Sequence, residues 1–287
     1  MPELPEVEVV KQSLEKYILN KRILKIIVKN NKLRFRVPNN LSKNLNNLKI
    51  LKINRVSKYI VIQLENNFFL IIHFGMSGTL HMLNSINDIQ NTNLSFYHSK
   101  NLPKKHNHIY FYFGKCSIIF NDPRRFGFVK LINGKTNLNN FFKKLGPDPF
   151  EKDFHFNYVK NFLNNKTKNI KNSLIDQNFI SGIGNIYASE ILNLSKINPL
   201  KSSGKLNDSE IKKIIFYTKK VLKFAIKRGG TTINNFHSIK GKIGSYQKEF
   251  RAYNREKVKC KNKLCSGTIT KLIISNRSTY MCDNCQK

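Results

Sequence analysis

The chain has 287 residues and carries 51 Lys and Arg against 17 Asp and Glu, a net charge of +34. This length suits two domains, and the charge favours a polyanionic partner, with nucleic acid ahead of an acidic membrane surface. A hydrophobic content of 40% with 21 Phe excludes a disordered chain, and no apolar run approaches the roughly 20 residues that cross a bilayer. The many Lys and Asn residues also fit codon bias in an AT-rich genome. Residues 1–6 lack the basic and apolar segments of a signal peptide, so a cytoplasmic protein is expected.

The first half of the chain contains one helical segment followed by strand-like segments. Residues 4–18 repeat apolar side chains at helical spacing, which predicts an N-terminal helix. Seven runs of β-branched and aromatic residues follow: 23–28, 48–53, 59–64, 68–74, 109–113, 116–120 and 126–132. Hairpin turns at Asn66-Asn67 and Gly114-Lys115 favour an antiparallel sandwich or barrel. The polar segment 84–107 is predicted to be a surface loop.

The second half has helical periodicity and begins after the Gly and Pro residues at 146–149. The predicted helices span 155–164, 169–177, 185–195 and 208–228. Asp208 and Ser209 are candidate N-caps of the last helix, and Gly229-Gly230 is its predicted stop. Residues 231–250 are predicted to form a loop, and a basic tail follows with two strand-like runs around Ser275-Asn276. These features predict three domains: 1–147, 148–250 and 251–287.

Four of the five cysteines lie in the last 28 residues, as two pairs on either side of a predicted hairpin. The pairs are Cys260-x4-Cys265 and Cys282-x2-Cys285, a layout typical of a tetrahedral zinc ribbon. Four thiolates leave no position for an activated water, so we expect one structural Zn²⁺ that folds the segment and performs no chemistry. Cys116 lies in an apolar strand and is predicted to be an inert core residue.

The second residue, Pro2, is a candidate nucleophile. Removal of the initiator Met would expose a secondary amine, and about 10% of an α-amino group is unprotonated at pH 7, far more than of a lysine. Attack on an aldehydic sugar carbon gives an iminium ion, which is an electron sink for elimination. Glu3 and Glu6 lie beside this amine in sequence and are candidate proton shuttles. Taken alone, the three residues also fit an ordinary helix start.

Seven sequence motifs together resemble the bacterial formamidopyrimidine-DNA glycosylases, in the order found in that family. They are residues 1–8, Ser57-Lys58-Tyr59, residues 73–78, 122–127, 182–190 and 229–232, and the cysteine ribbon. The resemblance implies a bifunctional base-excision enzyme. Such an enzyme removes oxidised purines such as 8-oxoguanine and formamidopyrimidines from duplex DNA, then cleaves the abasic strand by β,δ-elimination.

The resemblance also implies catalytic roles for five residues. Pro2 corresponds to the Schiff-base nucleophile that attacks C1′, and Glu3 to the acid/base that opens the sugar. Glu6 corresponds to a supporting carboxylate. Lys58 corresponds to the lysine that serves β-elimination and contacts phosphate near the lesion. Arg277 aligns with the arginine implicated in δ-elimination and in holding the ribbon on DNA.

An enzyme that acts on a stacked base must flip it out of the helix and fill the gap. Met76 and Phe126 are suited to wedge between bases, and Arg124 to bond the orphaned cytosine; they resemble the void-filling triad of the family. Without the resemblance, Met76 and Phe126 would be interpreted as core residues. The residues that align with phosphate contacts of the family are His106, Lys166 and Asn185. The segment 229–250 aligns with the loop that closes over the everted base.

One departure from the family pattern is visible, because family ribbons commonly begin Cys-x2-Cys. The first knuckle here is longer, so its backbone hydrogen bonds to sulfur and the orientation of Arg277 are expected to differ. We predict an α+β protein: an antiparallel β-sandwich with an N-terminal catalytic helix, then a helical helix–two-turn–helix domain that ends in a zinc ribbon. DNA is expected in the cleft between them. The expected partner is duplex DNA with an oxidised base, with no membrane or organic cofactor, and a monomer is sufficient.

Two alternatives remain open at the level of sequence. A pyrimidine-lesion glycosylase resembling endonuclease VIII would share Pro2, Glu3 and the ribbon. Leu4, where that branch usually has Gly, and the pair Arg124 and Phe126 favour the purine branch. A non-catalytic zinc-ribbon protein would bind any duplex in a salt-sensitive way without nicking it.

Overall fold

The structure is a computed structural model that describes residues 2–84, 90–91, 104–231 and 244–287. Its contacts divide the chain into two compact units. The first comprises Met1–Lys143 and Arg228–Gln247, and the second comprises Lys144–Lys227 and Lys248–Lys287. The expected α+β class is confirmed, with strands concentrated in the first unit and helices in the second. The three-domain division at 147 and 250 stays a prediction.

The first unit begins with helix α1 (Leu4–Ile18), over the range predicted from the sequence. Its N-cap is Glu3, and Pro5 lies in the first turn, where a missing N–H costs nothing. The buried apolar face belongs to the core of the sandwich and includes Val7, Val10, Leu14 and Ile18.

Two antiparallel sheets form the sandwich of this unit. Its strands are β1 (Lys25–Val28), β2 (Ile50–Val56), β3 (Tyr59–Leu64), β4 (Phe68–His73), β5 (Thr79–Asn84), β6 (Gln90–Asn91), β7 (Asn107–Tyr112), β8 (Cys116–Asn121) and β9 (Phe128–Asn133). One sheet has the order β1-β7-β8-β5-β6 and the other β2-β3-β4-β9. Two helices complete the unit, α2 (Leu41–Leu45) and α3 (Lys135–Phe142). Apolar side chains from both sheets form one core with α1, and Cys116 is buried in it as predicted.

All seven predicted strand runs contain strands, whereas β5 and the two-residue β6, which lies within the predicted loop 84–107, were not predicted. β5 carries Thr79 and His81, which are both buried and joined by a 2.7 Å hydrogen bond between Oγ1 and Nε2. Leu80 and Met82 of the same strand are buried as well, so polar and apolar residues share its buried positions and no alternation of apolar residues marks the strand. Of the predicted loop 84–107, residues 85–89 and 92–103 lie outside the described residues.

The second unit contains four α-helices and the hairpin of the ribbon. The elements are α4 (Phe156–Leu163), α5 (Ile170–Leu174), α6 (Asn185–Ser195), α7 (Asp208–Lys227), β10 (Ile269–Ile274) and β11 (Arg277–Cys282). All match predicted segments, although α5 ends three residues early. α6 packs against α7 and against β11, so this helix connects the helical bundle to the ribbon.

The predicted N-cap of α7 was wrong. Asn207 is the cap: its Oδ1 accepts the Glu210 N–H, and Glu210 Oε2 accepts the Asn207 N–H, both at 2.9 Å. This reciprocal capping box satisfies two donors at once, so the helix starts with Asp208 already inside it. The stop at Gly229-Gly230 is as predicted, with φ of +77° and +76°. No helix in the described ranges is long and apolar enough to cross a membrane.

Candidate active site

The N-terminal residues are buried, and hydrogen bonds hold their backbone in place. Pro2 is buried, and Glu3 and Glu6 are 3% and 2% exposed. Glu6 Oε2 accepts the Glu3 N–H at 2.9 Å, and the Glu3 side chain accepts a backbone N–H of the first helical turn. The two carboxylates therefore fix the backbone directly after Pro2.

Glu6 also connects the N-terminus to a residue far along the chain. Its Oε1 accepts the Thr231 N–H at 2.8 Å and the Thr231 hydroxyl at 3.0 Å. Gly230 permits this approach, because a Cβ on it would lie 3.1 Å from Glu6 Oε1 at a φ of +76°. The predicted supporting carboxylate is thus a junction between helix α1 and the segment after α7. Residues 232–243 of the predicted 229–250 loop lie outside the described part of the chain.

Lys58 lies on the turn between β2 and β3 and is 7% exposed. Arg55 fixes this turn, since its Nε pairs with Glu8 Oε2 at 2.9 Å and its Nη1 donates to the Ser57 carbonyl at 3.1 Å. Glu8 belongs to α1, so the ion pair connects the turn that carries Lys58 to α1. Sequence reasoning missed this pair, because only the fold brings β2 to α1.

His73 ends β4 and is a neutral, stacked residue. Burial, followed by the charges of Lys58 and Arg34, lowers the pKa of His73 to about 4. Its ring stacks on Phe128 with a centroid separation of 5.3 Å and contacts Tyr59 at 4.8 Å. Its Nδ1 accepts the Gly75 N–H at 3.1 Å, so the ring positions the start of the next turn.

Met76, Arg124 and Phe126 come together at one open pocket of about 640 Å³. The pocket is lined by Arg34, His73, Gly75, Met76, Arg124, Arg125 and Phe126. Met76 is 46% exposed and Phe126 is 44% exposed, so neither is a core residue. The Arg124 guanidinium lies 4.6 Å from the centroid of the Phe126 ring. Such a mixture of cationic and apolar groups can accept a flat aromatic base.

His106 lies in a short 3-10 helix before β7, and His108 lies within that strand. Partial burial, followed by the charge of Lys105, lowers the pKa of His106. His108 is 1% exposed, and its Nε2 contacts the Asp122 carbonyl at 2.8 Å.

In the second unit, the glycine-containing turn before α6 is built around Gln177. Its Oε1 accepts the Gly182 N–H at 2.9 Å, and its Nε2 donates to the Ile175 and Ile183 carbonyls, both at 2.8 Å. Gly182 has a φ of +92°, which favours glycine. The turn leads into the N-terminus of α6 at the partly buried Asn185, and a helix N-terminus suits an anion. Gln177 was not predicted from the sequence, because a single polar residue in a turn belongs to no recognisable sequence motif.

Asn185 and Arg277 are connected through the ribbon hairpin. Asn185 starts α6, and its Nδ2 donates to the Ser278 carbonyl at 2.7 Å. On the other side of Arg277, Asn172 Nδ2 donates to the Ser275 hydroxyl at 2.8 Å. Arg277 is exposed at the start of β11, between two anchored residues, so its backbone is held despite the longer cysteine knuckle.

Lys166 is exposed on the turn after α4. Its carbonyl accepts the Gly204 N–H at 2.9 Å and the Ser202 hydroxyl at 3.0 Å, and its ammonium lies 5.7 Å from the centroid of the Phe162 ring. The backbone of Lys166 is therefore fixed while its charge stays available to an anion.

The four ribbon cysteines form one cluster. The ligand atoms of Cys260, Cys265, Cys282 and Cys285 all lie within 4.8 Å of one another. The Sγ separations are 3.8 Å for Cys260 and Cys285, and 3.5 Å for Cys265 and Cys282. Tetrahedral zinc with Zn–S bonds of about 2.3 Å places its sulfurs about 3.8 Å apart, so the donor set fits a zinc ion.

The longer knuckle contributes Asn262, which sequence reasoning did not single out. Its backbone N–H donates to Cys260 Sγ at 3.4 Å, and its Nδ2 lies 3.2 Å from Cys285 Sγ and 3.1 Å from the Asn193 carbonyl in α6. Its Oδ1 accepts from Arg251 Nη2 at 3.0 Å. One side chain therefore contacts the thiol cluster, the helix and the start of the ribbon.

Glu190 in α6 holds the segment that leads into the ribbon. Its carboxylate is fully buried and accepts the backbone N–H groups of Arg251, Ala252 and Tyr253 at 2.8 to 2.9 Å. Burial raises the pKa of Glu190, and the three donors oppose that shift. The ribbon is therefore docked on α6 at both its start and its cysteine knuckle.

Comparison with known proteins agrees with this geometry over the whole chain. The formamidopyrimidine-DNA glycosylase N-terminal domain model matches residues 1–129, and the H2TH domain model of the same enzymes matches residues 145–237. The formamidopyrimidine-DNA glycosylase of Rickettsia bellii is 38% identical over 288 residues, covering 100% of both chains. The enzyme of Roseobacter denitrificans is 34% identical, also with 100% coverage of both.

Solved structures of the Lactococcus lactis enzyme are also similar. Its complex with DNA containing an abasic site has a TM-score of 0.87 at 32% identity and covers 99% of both chains. A mutant bound to DNA containing Fapy-dG has a TM-score of 0.88 at 32% identity and covers 100% of both. The chain described here therefore belongs to the formamidopyrimidine-DNA glycosylase family, the DNA glycosylases of base-excision repair.

Proposed function

We propose that this protein removes oxidised purines, 8-oxoguanine and formamidopyrimidines, from duplex DNA and cleaves the resulting abasic strand by β,δ-elimination. The observation that carries the proposal is the buried N-terminus, where Glu3 and Glu6 fix the backbone after Pro2 and Thr231 holds Glu6. A nucleophile must be held within near-attack distance of its target carbon, and a pinned backbone meets that need. The solved Lactococcus lactis complexes contain abasic-site DNA and Fapy-dG DNA, which supports lesion-containing DNA as the partner.

In the proposed reaction, the amine of Pro2, exposed by removal of Met1, attacks C1′ of the damaged nucleotide. The bond between C1′ and the base breaks, the base leaves with a proton, and Glu3 protonates the sugar ring oxygen as the ring opens. The product is an iminium ion between Pro2 and C1′.

The strand is then cut by two eliminations. Lys58 assists loss of the C2′ proton, and the iminium accepts the electron pair of the C2′–H bond to give an enamine. The enamine then expels the 3′ phosphate, which leaves with the C3′–O bonding pair, and a conjugated iminium is restored. The second elimination, assisted by Arg277, breaks the C5′–O bond. Water then hydrolyses the iminium and frees Pro2. Glu6 supports these steps by holding the nucleophile in place.

The remaining predicted residues are proposed to extrude the base and to bind the DNA strands. Met76 and Phe126 fill the gap left by the everted base, and Arg124 bonds the orphaned cytosine. The proposed phosphate contacts are His106, Lys166 and Asn185, with Asn185 acting through the N-terminus of α6.

A structural Zn²⁺ is proposed in the ribbon, held by Cys260, Cys265, Cys282 and Cys285. When bound, the ion cross-links the two knuckles and contributes folding energy without taking part in the reaction. The folded ribbon would then hold Arg277 in a fixed position at the start of β11, next to the hairpin turn.

The test is covalent trapping with borohydride, which reduces the iminium to a stable amine. Full-length protein with a native N-terminus is expected to cross-link to duplex DNA carrying 8-oxoguanine opposite cytosine. An N-terminal extension that blocks Pro2 is expected to abolish trapping, whereas the same extension at the C-terminus is the matched control. Trapping that survives the blocked N-terminus would disprove the Pro2 mechanism. Preferential cleavage of thymine glycol over 8-oxoguanine would assign the protein to pyrimidine lesions instead.

A further inference from the structure

Two surface segments that carry the proposed void-filling residues share one buried carboxylate. The methionine turn (residues 74–78) carries Met76, and the arginine loop (residues 122–127) carries Arg124 and Phe126. Asp122 begins the arginine loop and is 0% exposed. A buried carboxylate needs hydrogen-bond donors, and here the donors come from both segments.

The contacts of Asp122 join the two segments directly. Its Oδ1 accepts the Ser77 hydroxyl at 2.5 Å, and its Oδ2 accepts the Gly127 N–H at 2.7 Å. The Arg124 N–H lies 3.2 Å from Ser77 Oγ and 3.3 Å from Asp122 Oδ1. We call this set of contacts the clasp.

The backbones of the two segments also touch. A Cβ on Gly75 would lie 2.3 Å from the Phe126 carbonyl carbon, and Gly75 has a φ of +57°. From the other side, His108 Nε2 donates to the Asp122 carbonyl at 2.8 Å. The arginine loop is therefore held at its start, at Arg124 and at Gly127, and it lies against the methionine turn without an intervening side chain.

We propose that Asp122 and Ser77 are positioning residues that keep Met76, Arg124 and Phe126 at a fixed separation before DNA binds. The inference rests on the proposed function, in which these three side chains replace an everted base. Extruding a stacked base costs a few kcal/mol. If these three side chains are already ordered, they lose no further conformational entropy when the base is extruded. More of their contact energy with DNA is then left to offset the free energy of extrusion.

Loss of the clasp should therefore change the rates on two substrates differently. It should slow excision from an intact duplex, where a base must leave the stack. It matters little for cleavage of a preformed abasic site, where no target base has to be extruded. A residue that merely stabilises the fold would affect both reactions equally.

The experiment compares Ser77→Ala and Asp122→Asn in the full-length protein, with single-turnover rates on both duplexes. We expect 8-oxoguanine excision to slow about tenfold or more and cleavage of the abasic duplex to change less than about threefold. Ser77→Thr retains the hydroxyl and is expected to restore excision. Ser117→Ala removes another buried hydroxyl, from β8 outside the clasp, and is expected to leave both rates unchanged.

Parallel loss on both duplexes would overturn the proposal, and so would an unchanged rate of excision in Ser77→Ala. If Asp122→Asn does not fold, the Ala and Thr variants of Ser77 decide the outcome. Wild-type protein that cuts neither duplex would refute the proposed function itself. That result is distinct from an active wild type with an equally active Ser77→Ala.

Discussion

Glu6 illustrates how much one buried side chain can organise. Its two oxygens accept the Glu3 N–H, the Thr231 N–H and the Thr231 hydroxyl. The sequence suggested a carboxylate that supports the reaction. The structure adds that the same group joins residues separated by 225 positions.

Replacing Glu6 with Ala should lower the free energy of unfolding by about 2 kcal/mol, because buried N–H donors lose their acceptor. Glu6→Gln should cost less, since its amide keeps one acceptor oxygen. The matched control is Glu15→Ala in the same helix, which removes only a surface ion pair with Lys11 and should change stability by less than about 0.5 kcal/mol. Urea denaturation measures all three. Equal losses for the alanine variants of Glu6 and Glu15 would contradict this account.

Two histidines with lowered pKa values, the buried His81 and the partly buried His73, should make the first unit sensitive to acid. Burial lowers the pKa of His81 to about 3, and burial with nearby cations lowers that of His73 to about 4. Both values lie below the ordinary value of 6.5. The unfolded chain therefore binds more protons as the pH falls below 6.5, and stability present above that pH is lost through this window.

The variant His81→Gln should flatten this dependence, because it cannot be protonated. Between pH 6.5 and 5, wild-type protein should lose about 2 kcal/mol more stability than the variant, at roughly 1.4 kcal/mol per pH unit. Urea denaturation at both pH values provides the comparison. His155→Asn, at an exposed position in the second unit, should keep the wild-type loss. A wild-type loss retained in His81→Gln would show that other groups cause the acid sensitivity.

At the scale of elements, periodicity predicted those that bury a continuous apolar face. Helix α1 and the strands with hydrophobic runs agree with the sequence, because burial of one face dictates both pattern and fold. The features that were not predicted depend instead on polar contacts. The buried side chains of β5 include a polar pair, and the cap of α7 depends on a reciprocal contact between Asn207 and Glu210.

The ribbon is an element whose docking depends on the unusual knuckle. Asn262 contacts Cys260 and Cys285 and donates to the Asn193 carbonyl. Loss of a hydrogen bond from a neighbouring residue to a metal ligand typically lowers metal affinity 10- to 100-fold. Asn262→Ala should therefore release zinc to a chelator at least about tenfold faster than wild type.

The readout is the rate of zinc appearance with a metallochromic dye, which is independent of enzyme activity. Lys263→Ala changes an exposed residue in the same knuckle and is expected to release zinc at the wild-type rate. Similar rates for the Asn262 and Lys263 variants would mean that the side chain of Asn262 does not support the metal site. Complete removal of zinc should unfold the ribbon.

At the scale of the whole molecule, the net charge of +34 should dominate nonspecific binding to DNA. A protein that neutralises 6 to 10 phosphates loses about 10³-fold or more in affinity between 50 and 200 mM salt. We expect a loss of that size for undamaged duplex, measured by fluorescence anisotropy. Lys166→Ala should reduce the slope of log affinity against log salt by about 1. Lys152→Ala, at an exposed position without a proposed contact, should leave the slope unchanged; equal slopes for both variants would remove Lys166 from the interface.

The α+β class, most element positions, the cysteine cluster and the family could be predicted from the amino-acid sequence, because these depend on local patterns and on motifs. The tertiary structure decided which residues meet. Glu6 with Thr231, Arg55 with Glu8, and Asp122 with Ser77 are far apart in the chain, and no local pattern specifies such pairs. They form because chain folding buries polar groups, and each buried donor or acceptor must find a partner wherever the packing places one.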